Sequence, residues 1–180
     1  MLDKQRLSHI RKRIRQDRRL EKLDHAFNSL PEYNLNRNEL YEEIQRIHMV
    51  RKTRHLDKRA KTFVEDITEG LIDDQSHRAR LSEILISCVR VIRNLESSLE
   101  TMEGHLLIEH SELLSEIRTK GERQSFIHHH ILSKYLKYVD RIDRVKAAAE
   151  IVIIDIDKAG YMYKNLIEAV KLSTGRKEIV

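Results

Sequence analysis

Residues that interrupt helices are scarce in this sequence: 180 residues contain one proline and five glycines, at positions 70, 104, 121, 160 and 175. Aromatics make up 5% and tryptophan is absent. Strands draw on Val, Thr and aromatics in alternation, and no such run occurs, which argues against a sheet core. The same poverty in breakers predicts few, long helices. A single cysteine, Cys88, allows no intrachain disulfide and points to a reducing, cytoplasmic compartment. No apolar run approaches the roughly 20 residues that span a bilayer. The first thirty residues lack the apolar core of a secretory signal, and Asp3, Asp17 and Glu21 argue against a transit peptide. Also missing are a Gly-rich phosphate loop, G-x-S-x-G, H-E-x-x-H and the E-x-x-H pairs of di-iron bundles. Neither catalysis, nor a cofactor, nor a small-molecule substrate is expected.

What the chain does have is heptad order. Within 131–170, Ile131, Tyr135, Tyr138, Ile142, Val145, Ala149, Val152, Ile156, Ala159, Tyr163, Leu166 and Val170 recur by fours and threes. A 3.5-residue repeat sustained this long marks a helix packed along a coiled-coil-like seam. A second run, Leu81, Leu85, Cys88, Ile92, Leu95, Leu99, Met102 and Leu106, falters at Glu109 and resumes at Leu113. Asp73, Asp74 or Ser76 is placed to cap this helix, and Gly121 is placed to end it. Each helix would be roughly 70 Å long at about 1.5 Å per residue. So short a connection predicts that the two lie antiparallel.

The fold class read from this pattern is all-α: a long antiparallel, coiled-coil-like helical hairpin over 71–172, with its turn near Gly121. Two N-terminal helices precede it. Leu20, Leu23, Phe27 and Leu30 would meet Leu40, Ile44 and Ile47 across a reversal at Pro31, so 20–70 is read as a helical hairpin that ends at Gly70 and packs on the base. The helix around Ile151, Val152, Ile153, Ile154 and Ile156 is apolar nearly all round, which predicts burial on several sides. That gives a three-helix base continuing into a two-helix projection. A homo-oligomer seam through 151–156 is the rival explanation of the same residues. Residues 173–180 are read as a flexible tail.

The net charge of +5 is localised. Residues 1–30 hold nine Lys/Arg and four Asp/Glu, while the other 150 hold 25 of each sign. Leu7, Ile10 and Ile14 form one stripe of this segment. Leu20, Leu23 and Phe27 fall on nearly the opposite side at about 100° per residue. One straight helix cannot bury both, so 1–19 is read as a projecting basic arm. Lys4, Arg11, Lys12, Arg13, Arg15, Arg18, Arg19 and Lys22 would follow phosphates or meet carboxylates. Leu7, Ile10 and Ile14 would dock on a protein partner. Arg51, Lys52, Arg54 and Lys58 would extend the basic footprint. His105, Glu109, His110 and His128 are the only metal-ligand candidates; their spacing matches no known signature, and no metal is expected.

Three functions fit these features. The first is a non-catalytic scaffold or adaptor whose arm docks on a polyanion, above all nucleic acid. The second is a structural subunit of a larger protein assembly, such as a virion or another multi-subunit complex, using the arm to dock. The third is a helical dimer bound to a membrane surface.

Overall fold

The structure, a computed structural model, describes residues 4–30, 33, 35–54 and 63–175. The described chain is all-α. The helices are α1 (Lys4–Ile14), α2 (Arg18–Ser29), α3 (Arg37–Arg54), α4 (Phe63–Glu109), α5 (Ser111–Ser115), α6 (Lys120–Phe126) and α7 (Ser133–Gly175). A π-helical turn, Ile127–Ile131, leads into α7. The long helices α4 and α7 form the expected hairpin. The seam that leads into and along α7 is buried from Ile131 to Ile156 except at Tyr138, which is partly buried, and Cys88 is a core residue. On α4, Ile84 and Val91 are buried, whereas Leu85 and Ile92 are only partly so. The pattern there is three-four rather than the four-three expected.

The chain divides into two compact units, Met1–Asn36 with Cys88–Arg144, and Arg37–Ser87 with Val145–Val180. In the second, α3 joins α4 and α7 as a three-helix base. The Arg51 guanidinium joins all three helices. Its Nε donates to Asp74 Oδ1 at 2.9 Å and its Nη2 to Asp74 Oδ2 at 3.3 Å. Nη2 also donates to the Asp155 carbonyl at 3.2 Å. Ile44, Ile47 and Arg51 follow i, i+3, i+7, so Arg51 lies on the apolar stripe and is buried with its partner. Arg80 forks onto Glu43 at 2.7 and 3.0 Å, and Arg78 meets Asp157 at 2.7 Å. The Arg80 fork holds the Glu43 carboxyl below the usual carboxylate range. These pairs are largely exposed and add little to stability.

In the first unit, α1 and α2 pack on the end of α4, the start of α7, and α5 and α6. Ile10, Ile14, Leu20 and Leu23 share one core cluster with Leu95, Leu106, Ile127 and Tyr135. Phe27 lies nearly perpendicular to two rings, Tyr135 at 5.0 Å and Tyr138 at 5.1 Å. The Tyr135 hydroxyl donates to Asp24, which also meets Lys134. Burial first, and then Asp24, pushes the Tyr135 phenol well above its ordinary value. Tyr138 accepts the Leu35 N–H at 3.1 Å, and Tyr33 packs against the same cluster.

Several expected boundaries move. The half of the hairpin expected to project as two helices carries α1 and α2 as well. The arm 1–19 does not project, because Ile10 and Ile14 are 1% and 0% exposed. The expected α2–α3 hairpin is not formed: Leu20 and Leu23 are buried in the first unit, and Ile44 and Ile47 belong to the second. Leu30 is exposed. Gly70, Asp73, Asp74 and Ser76 lie inside α4 instead of between helices. The α4 helix stops at Glu109, where the heptads falter, and the chain reverses across 116–119. Thr119 then caps α6 in a reciprocal box with Glu122, so Gly121 sits in the first turn of a helix. The π turn has a related cause. Ile127 and Leu132 are five residues apart and both buried, and the wide turn closed by Leu132 N–H on the Ile127 carbonyl brings them into line. Of the expected tail, residues up to Gly175 belong to α7 and 176–180 lie outside the described residues.

The Arg51 pair generates a prediction. Arg51→Met leaves the Asp74 carboxylate buried without its cation and should cost about 3 kcal/mol or more in urea unfolding followed by circular dichroism. Adding Asp74→Leu should restore most of the loss. A single-variant cost under about 1 kcal/mol would show that the pair does not hold the base.

Candidate functional site

The α1 sequence, KQRLSHIRKRI, holds five cations and no carboxylate. Leu7, Ile10 and Ile14 recur at i, i+3, i+7 and make one stripe. That stripe is seated in the first unit's core, with Leu7 packed at its edge. Seating the stripe fixes the remaining faces outward. By helical phase, Lys4 and Arg11 flank the stripe on one side, with Arg15 just beyond the helix continuing that line. Arg6 and Arg13 flank it on the other side, and Lys12 lies farthest out. All six are exposed. Arg11, Lys12 and Arg13 also fall in the last turn, where cations complement the helix dipole.

The break after α1 is built by Asp17. Its backbone is extended, at φ −66° and ψ 127°, and its Oδ1 accepts the Arg19 N–H at 2.7 Å, an N-cap for α2. Its other oxygen, Oδ2, accepts from two histidines of the α4 end, His105 Nε2 at 3.0 Å and His110 Nε2 at 2.9 Å. Arg19 Nη1 donates to His105 Nδ1 at 3.1 Å, which assigns His105 as the Nε2–H tautomer. The Asp17 side chain is 8% exposed. Burial pushes its carboxyl up, but the hydrogen bonds from the Arg19 N–H, His110 and His105 outweigh it and hold the carboxyl below the ordinary value. The α1–α2 junction is thus clamped to the hairpin, and the two opposed stripes enter one core.

The cations expected to bind a polyanion therefore divide. Lys4, Arg11, Lys12, Arg13, Arg18 and Lys22 are exposed, with no carboxylate partner among the described residues. Arg15 and Arg19 are exposed but tethered, Arg15 to the His130 carbonyl at 3.2 Å and Arg19 to His105. Arg51 leaves the footprint altogether, being buried on Asp74. Lys52 is exposed on α3, Arg54 ends that helix, and Lys58 lies outside the described residues. Leu7, Ile10 and Ile14 are not docking residues, because the chain's own core takes them up.

The four metal candidates separate as well. His105 and His110 turn to Asp17, His128 Nε2 meets Glu103 at 2.9 Å, and Glu109 is exposed. Among the described residues no cluster of three or more His, Cys, Asp or Glu can hold a metal ion. Sequence reasoning missed Arg6 and the Asp17 clamp. Arg6 was legible as one more cation on α1. Asp17 carried a signal too, an acid two residues before Arg19 at the point where the stripes change face.

The clamp predicts a sign for the pH response. The Asp17 carboxyl is lower in the fold than its unfolded value of 3.8, so its contribution is complete above that pH and is lost as pH falls through the folded value. Asp17→Asn keeps a capping oxygen and removes the charge. Its stability deficit in urea should be full near about pH 5 and shrink toward about pH 2, and Asp17→Ala should cost about 1 kcal/mol more for the lost cap. A deficit that does not change with pH would remove the ionised clamp.

Comparison with known protein families, with curated proteins and with solved structures finds no match to the chain, so its function rests on its own residues.

Proposed function

We propose that the chain is a non-catalytic helical scaffold that docks on a polyanion, foremost nucleic acid, through the outward face of α1. The observation that carries this reading is the seating of Ile10 and Ile14. Their burial makes a cationic helix part of the folded surface, so its backbone is preorganised and no helix has to fold on binding. Arg15, Arg18 and Lys22 follow in the sequence as further exposed cations of the same unit. Four or five phosphates within reach of such a face give log K a slope of about −4 against log salt on duplex DNA. Between about 50 and 200 mM salt that is a loss of affinity of several hundredfold. The proposal rests on phosphate contacts and includes no sequence preference.

A second reading has its own observation. Of thirteen large hydrophobics exposed among the described residues, eleven belong to the second unit. That surface suits a subunit of a larger protein assembly. The membrane-surface reading loses its anchors, since the three apolar residues of α1 are already buried or packed. No helix of the described residues is long and apolar enough to cross a membrane.

Fluorescence anisotropy with duplex DNA, single-stranded DNA and RNA across salt tests the reading. Arg11→Gln with Lys12→Gln and Arg13→Gln should leave the helix content unchanged and make the salt slope shallower by about two to three. Binding without a salt slope, or binding untouched by the triple variant, would end the polyanion proposal.

A further inference from the structure

The helix α7 is apolar on two faces in the second unit. Its inner face, Val145, Ala149, Val152 and Ile156, is buried within that unit. Its outer face carries Ile151, Ile154, Tyr161, Met162 and Leu172, exposed by 60, 51, 74, 52 and 73%. At about 100° per residue these five fall within an arc of roughly 100°, the width of an ordinary packing stripe. The stripe runs about 33 Å along the helix. The residues around 151–156 therefore serve both explanations that the sequence left open. Val152 and Ile156 close the base, while Ile151 and Ile154 face out.

We infer that this outer stripe of α7 is a homodimer interface, in which a second copy of the chain pairs with it antiparallel about a two-fold axis next to Tyr161 and Met162. The occupant is identified by self-complementarity. With the axis between those two residues, Ile151 faces Leu172 of the second copy, Ile154 faces its Ala169, and Tyr161 faces its Met162. The two polar positions inside the stripe, Lys158 and Asn165, face each other, and the lysine donates to the amide oxygen. Every apolar position meets an apolar one, as an isologous interface requires. A parallel pairing would instead set Lys158 against Lys158, and a polar position of this kind is what fixes orientation in coiled coils.

Charge along one flank agrees. Glu150, Asp157, Lys164 and Lys171 follow one another every seven residues. Antiparallel pairing brings Glu150 beside Lys171 of the second copy and Asp157 beside its Lys164. In the folded chain Asp157 also holds Arg78, and Glu150 reaches Lys146 at 3.5 Å, so the crossing contacts extend existing surface pairs. Such charges select the orientation more than they add affinity. The inference is independent of the polyanion reading, because none of these residues lies on α1 or α2.

Three measurements on the full chain test it. Sedimentation equilibrium at up to about 100 µM should give about 43 kDa, twice the 21.4 kDa of one chain. Ile154→Glu with Tyr161→Glu should weaken association at least about 100-fold with unchanged circular dichroism, as expected for exposed positions. Cys88 is buried, so an added thiol is a clean reporter. Tyr161→Cys should cross-link to itself with a short bismaleimide. Ile151→Cys should not do so alone, but should cross-link when mixed with Leu172→Cys. A 21 kDa species at every concentration, a dimer indifferent to the double glutamate variant, or self-linking of Ile151→Cys would each overturn the proposal.

Discussion

A straight helix can lay only one apolar stripe against one surface, and this chain repeatedly carries two. The structure resolves each conflict by changing direction or phase where the stripes change. Between Ile14 and Leu20 it breaks the helix at Asp17, so two nearly opposite stripes enter one core. At Glu109 the heptads of α4 fail and the helix stops. Between Ile127 and Leu132 a π turn absorbs the mismatch. The second unit's part of α7 keeps two stripes on one uninterrupted helix, and there one stripe remains outside.

The same constraint sorts the basic residues. Arg51 and Lys12 are chemically alike and both sit in dense basic runs. Arg51 falls four residues from Ile47 and is carried onto the buried side, where it needs Asp74 and a carbonyl to offset desolvation. Lys12 falls opposite the line of Ile10 and Ile14 and is carried outward. A count of charges along the sequence treats these residues as one population. Their phase relative to the nearest apolar stripe decides which of them a ligand can reach.

Phase also explains what the sequence made legible. The long helices follow from periodicity, their antiparallel pairing from the short connection between them, and the base around Val152 and Ile156 from a helix apolar nearly all round. The location of α1 was not readable, since its stripe of three could match an external partner as well as its own core. The α2–α3 pairing failed for a similar reason: short stripes such as Leu20–Leu23 and Ile44–Ile47 fit many surfaces, and proximity across Pro31 does not choose between them. Of the turn signals, Thr119 with Glu122 was the informative one. Gly121 alone suggested an end where the helix in fact begins, because a glycine with ordinary helical backbone is no cap. Of the candidate site, the exposed cations of α1 were visible in the sequence. The Asp17 clamp joins residues about 90 positions apart, a distance that periodicity does not bridge.

The two units differ in how completely they satisfy themselves. Among the described residues the first buries eighteen core hydrophobics and leaves two large ones exposed, while the second buries nine and exposes eleven. So unequal a ratio among the described residues supports the two readings in which a partner covers the second unit. The cationic helix belongs to the first unit, so the polyanion and the cover use different residues. If the cover is another copy, each assembly carries two α1 faces, and weak, salt-sensitive contacts to a long polyanion then add as one multivalent attachment wherever the ligand spans both. An elongated polymer rewards that arrangement more than a small anion does, because only the polymer can occupy both faces at once.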